Sequence, residues 1–205
     1  ARARSVQAGW ASLPPKDRDR RLQGLLGALE DRSEEIQETV MAETGKPRAE
    51  ALMEVATVVD LLRYHLKTTA SFFRRRKIST GWMVWKKAFV QREPLGVIGV
   101  ISPWNYPFIL AMGPTLTGLF GGNAVVLKPS ERSPYTGLLV EDLARDAGLP
   151  EGLVHVVIGA GGTGGIPCGH RVPGGRSCRI ARRDETPTSD DRSARDRHCI
   201  RPPHS

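Results

Sequence analysis

Cysteine is missing from residues 1–165: Cys168, Cys178 and Cys199 all fall in the last 40 positions of the chain. An odd number of thiols at these spacings makes neither a disulfide framework nor a Cys-x-x-Cys ligand pair. The chain is therefore expected in a reducing, cytoplasmic compartment. Lysine is missing from the same last 40 residues, which hold nine Arg against five acids. The whole chain has 30 basic and 22 acidic residues and a net charge of +8, so one fifth of it carries half of the excess. A basic excess raises nucleic acid or an anionic surface as a partner, and half of that excess sits at the end of the chain. The opening Ala1-Arg2-Ala3-Arg4 lacks an apolar stretch and an initiator Met, so no signal peptide is read there and the start reads as incomplete.

Charge is absent from Pro94 to Leu127, a run longer than a bilayer span requires. An unbroken transmembrane helix is excluded by Pro103, Pro107 and Pro114, with Gly96, Gly99, Gly113, Gly118, Gly121 and Gly122 around them. Buried strands flanking a helix account for the run, and no membrane partner is expected.

What is present reads as helices first. Residues 15–43 carry Leu22, Leu25, Leu26 and Leu29 on one helical face, with a restart near Ser33. After Thr44-Gly45-Lys46-Pro47 a longer helix runs to about Phe73, with Leu52, Val55, Val59, Leu62 and Leu66 as its apolar stripe. Arg74 to Lys77 suits its solvated C-terminal end better than a nucleic-acid site. Trp82 to Gln91 reads as an extended segment or hairpin strand. The pattern then changes to continuous apolar runs at Leu95–Ile101, Ala124–Leu127 and Leu153–Ile158, as in strands covered on both faces. Helical patterns at Phe108–Phe120 and Pro134–Ala147 separate them, the second with Ser133 as N-cap and Gly148 after its end. This alternation predicts a doubly wound α/β unit with parallel strands. The loops after all three strands then leave one edge, where ligands bind.

Those loops carry the candidate residues. In Ser102-Pro103-Trp104-Asn105-Tyr106-Pro107 the prolines hold the chain extended and present Asn105, either as an amide for developing negative charge or as a helix cap. Lys128-Pro129-Ser130-Glu131 sets a cation beside a carboxylate, which suits ribose hydroxyls or an ordinary surface pair. Gly159 to Gly164 matches Gly-x-Gly-x-x-Gly, but Pro167, Pro173 and Gly174-Gly175 forbid the helix that this fingerprint needs. A flexible glycine loop is the better reading.

Three motifs occur in order: Glu93-Pro94-Leu95-Gly96-Val97-Ile98-Gly99-Val100-Ile101-Ser102-Pro103-Trp104-Asn105-Tyr106-Pro107-Phe108, then Gly122-Asn123-Ala124-Val125-Val126-Leu127-Lys128-Pro129-Ser130-Glu131, then Ala147-Gly148-Leu149-Pro150-Glu151-Gly152. On these, residues 5–165 resemble the aldehyde dehydrogenase superfamily, with relatives among the succinate-semialdehyde and broad-range aldehyde dehydrogenases. The resemblance implies NAD(P)+-dependent oxidation of an aldehyde to a carboxylic acid, with a cysteine nucleophile, an oxyanion-holding amide and a glutamate-activated water. Asn105 matches the amide. Ile101, Ser102, Pro103 and Trp104 match the wall along the cofactor; Lys128, Pro129, Ser130 and Glu131 match the loop that grips the adenosine ribose. Gly161 and Gly165 match positions beside the adenine. Glu131 would repel a 2'-phosphate, which favours NAD over NADP. The implied organisation is 1–92 as N-terminal helices with an extended oligomerisation-type segment, 93–165 as the first half of a Rossmann-like NAD(P)-binding domain, and 166–205 as a disordered tail. The fold class is α/β, a partial doubly wound parallel sheet preceded by helices, and a homo-oligomer is the family's habit.

The family's later motifs are missing: its Phe-Thr-Gly-Ser turn, Glu-Leu-Gly-Gly base and Gly-Gln-x-Cys nucleophile do not occur, and no cysteine here follows Gly-Gln. Residues 166–205 have only Ile166, Val172, Ile180 and Ile200 as large aliphatics, too few for a core. A reading-frame shift near Gly164 to Ile166 is the expectation, and the chain is read as an incomplete, inactive enzyme without a metal. Zinc on Cys168, His170, Cys178, His198 and Cys199 does not fit ligand spacing. The competing expectation is a non-catalytic nucleotide- or nucleic-acid-binding protein.

Overall fold

The computed structural model describes residues 2–83 and 85–160. Its helices are α1 (Arg2–Ser12), α2 (Pro15–Leu22), α3 (Gly24–Asp31), α4 (Ser33–Thr44), α5 (Arg48–Phe72), α6 (Pro107–Phe120) and α7 (Pro134–Asp146). Its strands are β1 (Arg76–Ile78), β2 (Ala88–Val90), β3 (Val97–Ile101), β4 (Ala124–Lys128) and β5 (Val154–Val156).

The helix expected over 15–43 is three helices: α4 restarts at Ser33 as expected, after a break at Arg32, and a further break falls at Gln23. Gly24 passes so close to α7 that a Cβ there would lie 2.9 Å from the Ala147 carbonyl oxygen. Arg32 leaves the helical region at φ −104°, and its guanidinium bonds Glu35 at 2.7 and 2.8 Å and Asp146 at 2.9 Å. The predicted leucines still face inward: Leu22, Leu25 and Leu29 are fully buried. Gly45 ends α4 at φ 72°, a left-handed position that a side chain resists, with its N–H on the Met41 carbonyl at 2.8 Å.

The buried face of α5 is rotated from the predicted stripe. Ala51, Glu54, Val55, Val58, Leu62 and Thr69 are buried, while Leu52 is 49% exposed. The helix packs between α4 and α6, and the face they cover includes a carboxylate that polarity alone assigns to solvent. The helix ends at Phe72, within a residue of the expected end, and the exposed basic run beyond it passes into β1, which Arg76 opens. That strand pairs antiparallel with β2, Arg76 opposite Val90. Arg75 and Arg92 instead lie over the rings of Phe89 and Phe72, at 3.8 and 3.9 Å. Among the described residues of the segment expected to be extended over 82–91, only Ala88–Val90 are strand, and Trp82 and Trp85 pack edge-on in the exposed connection.

The second sheet is parallel, in the order β3-β4-β5. The central strand β4 is almost wholly buried, as its uninterrupted apolar run requires. The crossover helices α6 and α7 pack on each other, α6 also on β3 and β4, and α7 also on β5. A Cβ on Gly118 would collide with Ile98 and crowd Val125, so this glycine sets how closely α6 lies on the sheet. At the strands' starting edge, Asn123 Oδ1 accepts the N–H groups of Leu95 and Gly96 at 2.6 and 2.9 Å, fixing the β3 entry against β4. A single apolar cluster runs from Leu22 and Leu29 through Leu62 and Phe108 to Val125 and Leu143, joining helices to sheet. Strands winding the opposite way from β3 are not among the described residues.

Candidate functional site

Parallel strands end on one edge, and the register fixes which residues meet there. Ile101 pairs with Lys128, and Leu127 with Val156. The ladder extends one step further: Ser102 N–H donates to the Lys128 carbonyl at 3.1 Å, and Val157 N–H to the Leu127 carbonyl at 2.8 Å. Loops 102–106 and 129–133 therefore leave the same rim side by side. Arg132 bridges them, its guanidinium 5.2 Å from the centre of the Trp104 ring.

In the first loop Ser102 is buried, and its hydroxyl oxygen has no hydrogen-bond partner among the described residues. Ile101 and Pro103 are half-buried, whereas Trp104, Asn105 and Tyr106 are exposed. The alternative role of Asn105 as helix cap is not taken: Tyr106 is the N-cap residue of α6 and supplies no side-chain bond. Glu54 does that work from α5. Its Oε2 accepts the N–H groups of Phe108 at 3.0 Å and Ile109 at 3.1 Å, and its Oε1 holds Lys46 Nζ at 2.8 Å. The same ammonium stands 3.6 Å from the centre of the Tyr106 ring. No hydrogen bond from a described residue reaches the Asn105 side chain, which leaves its carboxamide open to a ligand.

In the second loop Lys128 is buried, with Nζ donating to the Pro129 carbonyl at 3.0 Å and standing 3.9 Å from the exposed Glu131 carboxylate. Ser130 Oγ accepts the Arg132 N–H at 3.2 Å. Pro129 lies against α7, where a Cβ on Gly137 would strike it. Ser133 holds the N-cap position expected of it, but its hydroxyl makes no capping bond and is buried without a described partner. Glu43, from the end of α4, takes the cap instead. It accepts Tyr135 N–H at 2.8 Å and Thr136 N–H at 2.9 Å, and the Thr136 hydroxyl as well.

Each crossover helix thus receives a protein carboxylate at its positive end. A phosphate would compete there with a fixed anion, so neither terminus offers the usual dinucleotide seat. What the rim presents is a neutral donor at Asn105, a buried cation at Lys128 and an exposed acceptor at Glu131. Such a set can hold a polar, hydroxyl-bearing ligand and stabilise an oxyanion.

Glu43, Glu54 and Lys46 were invisible as site residues in the sequence, although two signals were present. Glu54 is a lone acid on a face otherwise made of Ala51, Val55, Val58 and Leu62, and a buried charge needs a partner. Glu43 stands in the last turn of α4, where a helix's own dipole disfavours an acid. Gly161 and Gly165, the cysteines, and His170 and His198 lie outside the described residues. Among the described residues no group of three or more His, Cys, Asp or Glu is placed to hold a metal. No described helix is long and apolar enough to cross a membrane.

Comparison with known proteins matches residues 1–168 to the aldehyde dehydrogenase family. A 4,4'-diapolycopene aldehyde oxidase of Methylomonas is 46% identical over 158 residues, which are 76% of this chain and 30% of that protein. A putative NADP+ succinate-semialdehyde dehydrogenase of Mycolicibacterium smegmatis is 34% identical over 161 residues, 78% of this chain and 31% of that one. Among solved structures, an NAD-dependent benzaldehyde dehydrogenase from Corynebacterium glutamicum superposes with a TM-score of 0.71 at 32% identity. That match covers 78% of this chain and 35% of the other. The chain thus spans about 30% of the length of the curated relatives it matches.

Proposed function

The chain belongs to the aldehyde dehydrogenase family, and we propose that it forms the first part of a site for NAD(P)+-dependent oxidation of an aldehyde to an acid, without turning over alone. The observation that carries this reading is the open Asn105 carboxamide on the same rim as Lys128 and Glu131.

In this reading the Asn105 amide donates to the oxygen on which negative charge develops when an aldehyde is attacked; losing such a donor costs roughly 10²- to 10³-fold in rate. Ile101, Ser102, Pro103 and Trp104 form the wall beside the nicotinamide half, and the unpartnered Ser102 hydroxyl supports a polar ligand there. Lys128, Pro129, Ser130 and Glu131 hold the adenosine ribose, Glu131 accepting its hydroxyls. The dinucleotide, when bound, supplies the hydride acceptor. The ribose end fits the described residues; the carboxylates at α6 and α7 keep its diphosphate off both helices. Gly161 and Gly165 remain proposed neighbours of the adenine. Glu131 favours NAD+ because a 2'-phosphate would meet its charge. The β1–β2 hairpin, with Trp82 and Trp85 exposed, is the proposed contact between copies. Succinate semialdehyde and broader aldehydes are the substrate classes proposed.

Turnover needs a thiolate, and residues 1–165 have no cysteine, while none of the three that follow stands in a Gly-Gln-x-Cys setting. Calorimetry with NAD+ and NADP+, beside an absorbance assay for NADH with succinate semialdehyde, tests both halves of the proposal. NAD+ binding tighter than NADP+ binding with no NADH formed is the expected result. Aldehyde oxidation at an ordinary enzyme rate overturns the inactivity, and a folded chain that binds neither dinucleotide overturns the site. Sequencing the gene beyond codon 160 tests the frame shift, which an intact frame encoding the same expressed end would exclude.

A further inference from the structure

We propose that Glu54 is a positioning residue that aims the Asn105 carboxamide, an inference that rests on the reading of Asn105 as an oxyanion donor. The Glu54 carboxylate is only 2% exposed. One of its oxygens seats the first turn of α6 through Phe108 and Ile109, and the other holds Lys46, whose ammonium covers the ring of Tyr106. A single buried group therefore controls both the residue beside Asn105 and the turn that follows it.

The loop has little slack between its anchors. Ile101 is fixed in register with Lys128, Ser102 is tied to the Lys128 carbonyl, and Phe108 is tied to Glu54. Pro103 and Pro107 fix φ at two positions between. Asn105 has no described hydrogen-bond partner of its own, so its direction follows from those anchors rather than from a direct contact. Glu43 seats the first turn of α7 in the same manner and serves as the control, since its carboxylate touches the other loop's helix.

The test uses the full chain labelled with ¹⁵N, as wild type and as Glu54→Ala, Glu54→Gln, Lys46→Met and Glu43→Ala. Loss of the carboxylate in Glu54→Ala should speed amide exchange at Phe108 and Ile109 by about 10- to 100-fold and loosen the backbone of Trp104 and Asn105. Lys46→Met should leave Phe108 and Ile109 protected and still loosen Tyr106 and Asn105, an effect that a mere helix cap would not produce. Glu43→Ala should free Tyr135 and Thr136 and leave Asn105 ordered. Should Glu54→Ala fail to fold, Glu54→Gln, which keeps one acceptor but no ion pair, carries the measurement with Lys46→Met. Asn105 order unchanged in the Glu54 and Lys46 variants overturns the proposal, as does equal loosening of Asn105 by Glu43→Ala. A wild-type chain with an ordered Asn105 loop that binds no dinucleotide would instead remove the functional reading while the positioning role stood.

Discussion

Two carboxylates from the helical layer occupy the positive ends of the helices that start beside the rim. Glu43 and Glu54 each replace a missing intrahelical acceptor at the start of α7 and α6. Glu131 differs: it is exposed and only loosely paired with Lys128 at 3.9 Å, so its charge is available to a ligand. Glu131→Gln should raise NADP+ affinity and narrow the preference for NAD+, as read by calorimetry; an unchanged ratio would separate Glu131 from the 2' position. A second titratable group acts on folding. Burial lowers the pKa of His65 from its ordinary 6.5, while its ring stacks on Phe120 at 5.0 Å and meets Thr117 Oγ1 at 3.2 Å. The unfolded chain therefore takes up this proton first. Stability should fall as pH drops below about 6.5 towards the depressed folded value, and this contribution should be flat above it. Melting curves between pH 5 and 7 should show a smaller loss for His65→Phe than for wild type, and parallel losses would contradict the assignment. The roles of Glu43 and Glu54 were hard to read because their partners stand 92 and 54 residues away in sequence. The loops that face the solvent, by contrast, announced themselves through their own prolines and charges.

The elements were legible wherever a local pattern decided them. The apolar runs placed β3, β4 and β5 to within two residues of their starts, and Pro134 and Gly148 bounded α7. The restart at Ser33 was legible, but the break at Gln23 was not, because Gly24 acts through a contact with the end of α7 that no local pattern encodes. The same holds for α5, whose buried face is chosen by α4 and α6 rather than by its own strongest stripe. Contacts between elements also set the clearest stability predictions. Gly118→Val should lower stability by about 1–3 kcal/mol in chemical denaturation, because the added atoms meet Ile98 and Val125 across the seam of α6 and the sheet. Trp10 ties α1 to α6 through a 2.9 Å bond from Nε1 to the Leu119 carbonyl and is itself 2% exposed. Trp10→Phe should cost about 1–3 kcal/mol, since a smaller ring replaces the indole and the carbonyl loses its donor. No loss in either variant would mean that these seams are looser than described.

Across the whole molecule, helices and sheet share one apolar cluster, so the rim is braced from below by the layer that also supplies its capping carboxylates. Among the described residues the sheet winds one way from β3, and the chain spans about 30% of the curated relatives' length; the proposed ribose grip and the proposed oxyanion donor both lie on the rim of this part of the sheet. The central claim is that two loops of one sheet edge face a single dinucleotide. Titration of the ¹⁵N-labelled chain with NAD+ tests it most directly. The account predicts saturable shifts, with one shared dissociation constant, in the amides of residues 102–106 and 128–132, and none at the first turns of α6 and α7 beyond those loops. Shifts confined to one loop, or centred on Phe108 and Thr136 at the carboxylate-capped helix ends, would contradict it.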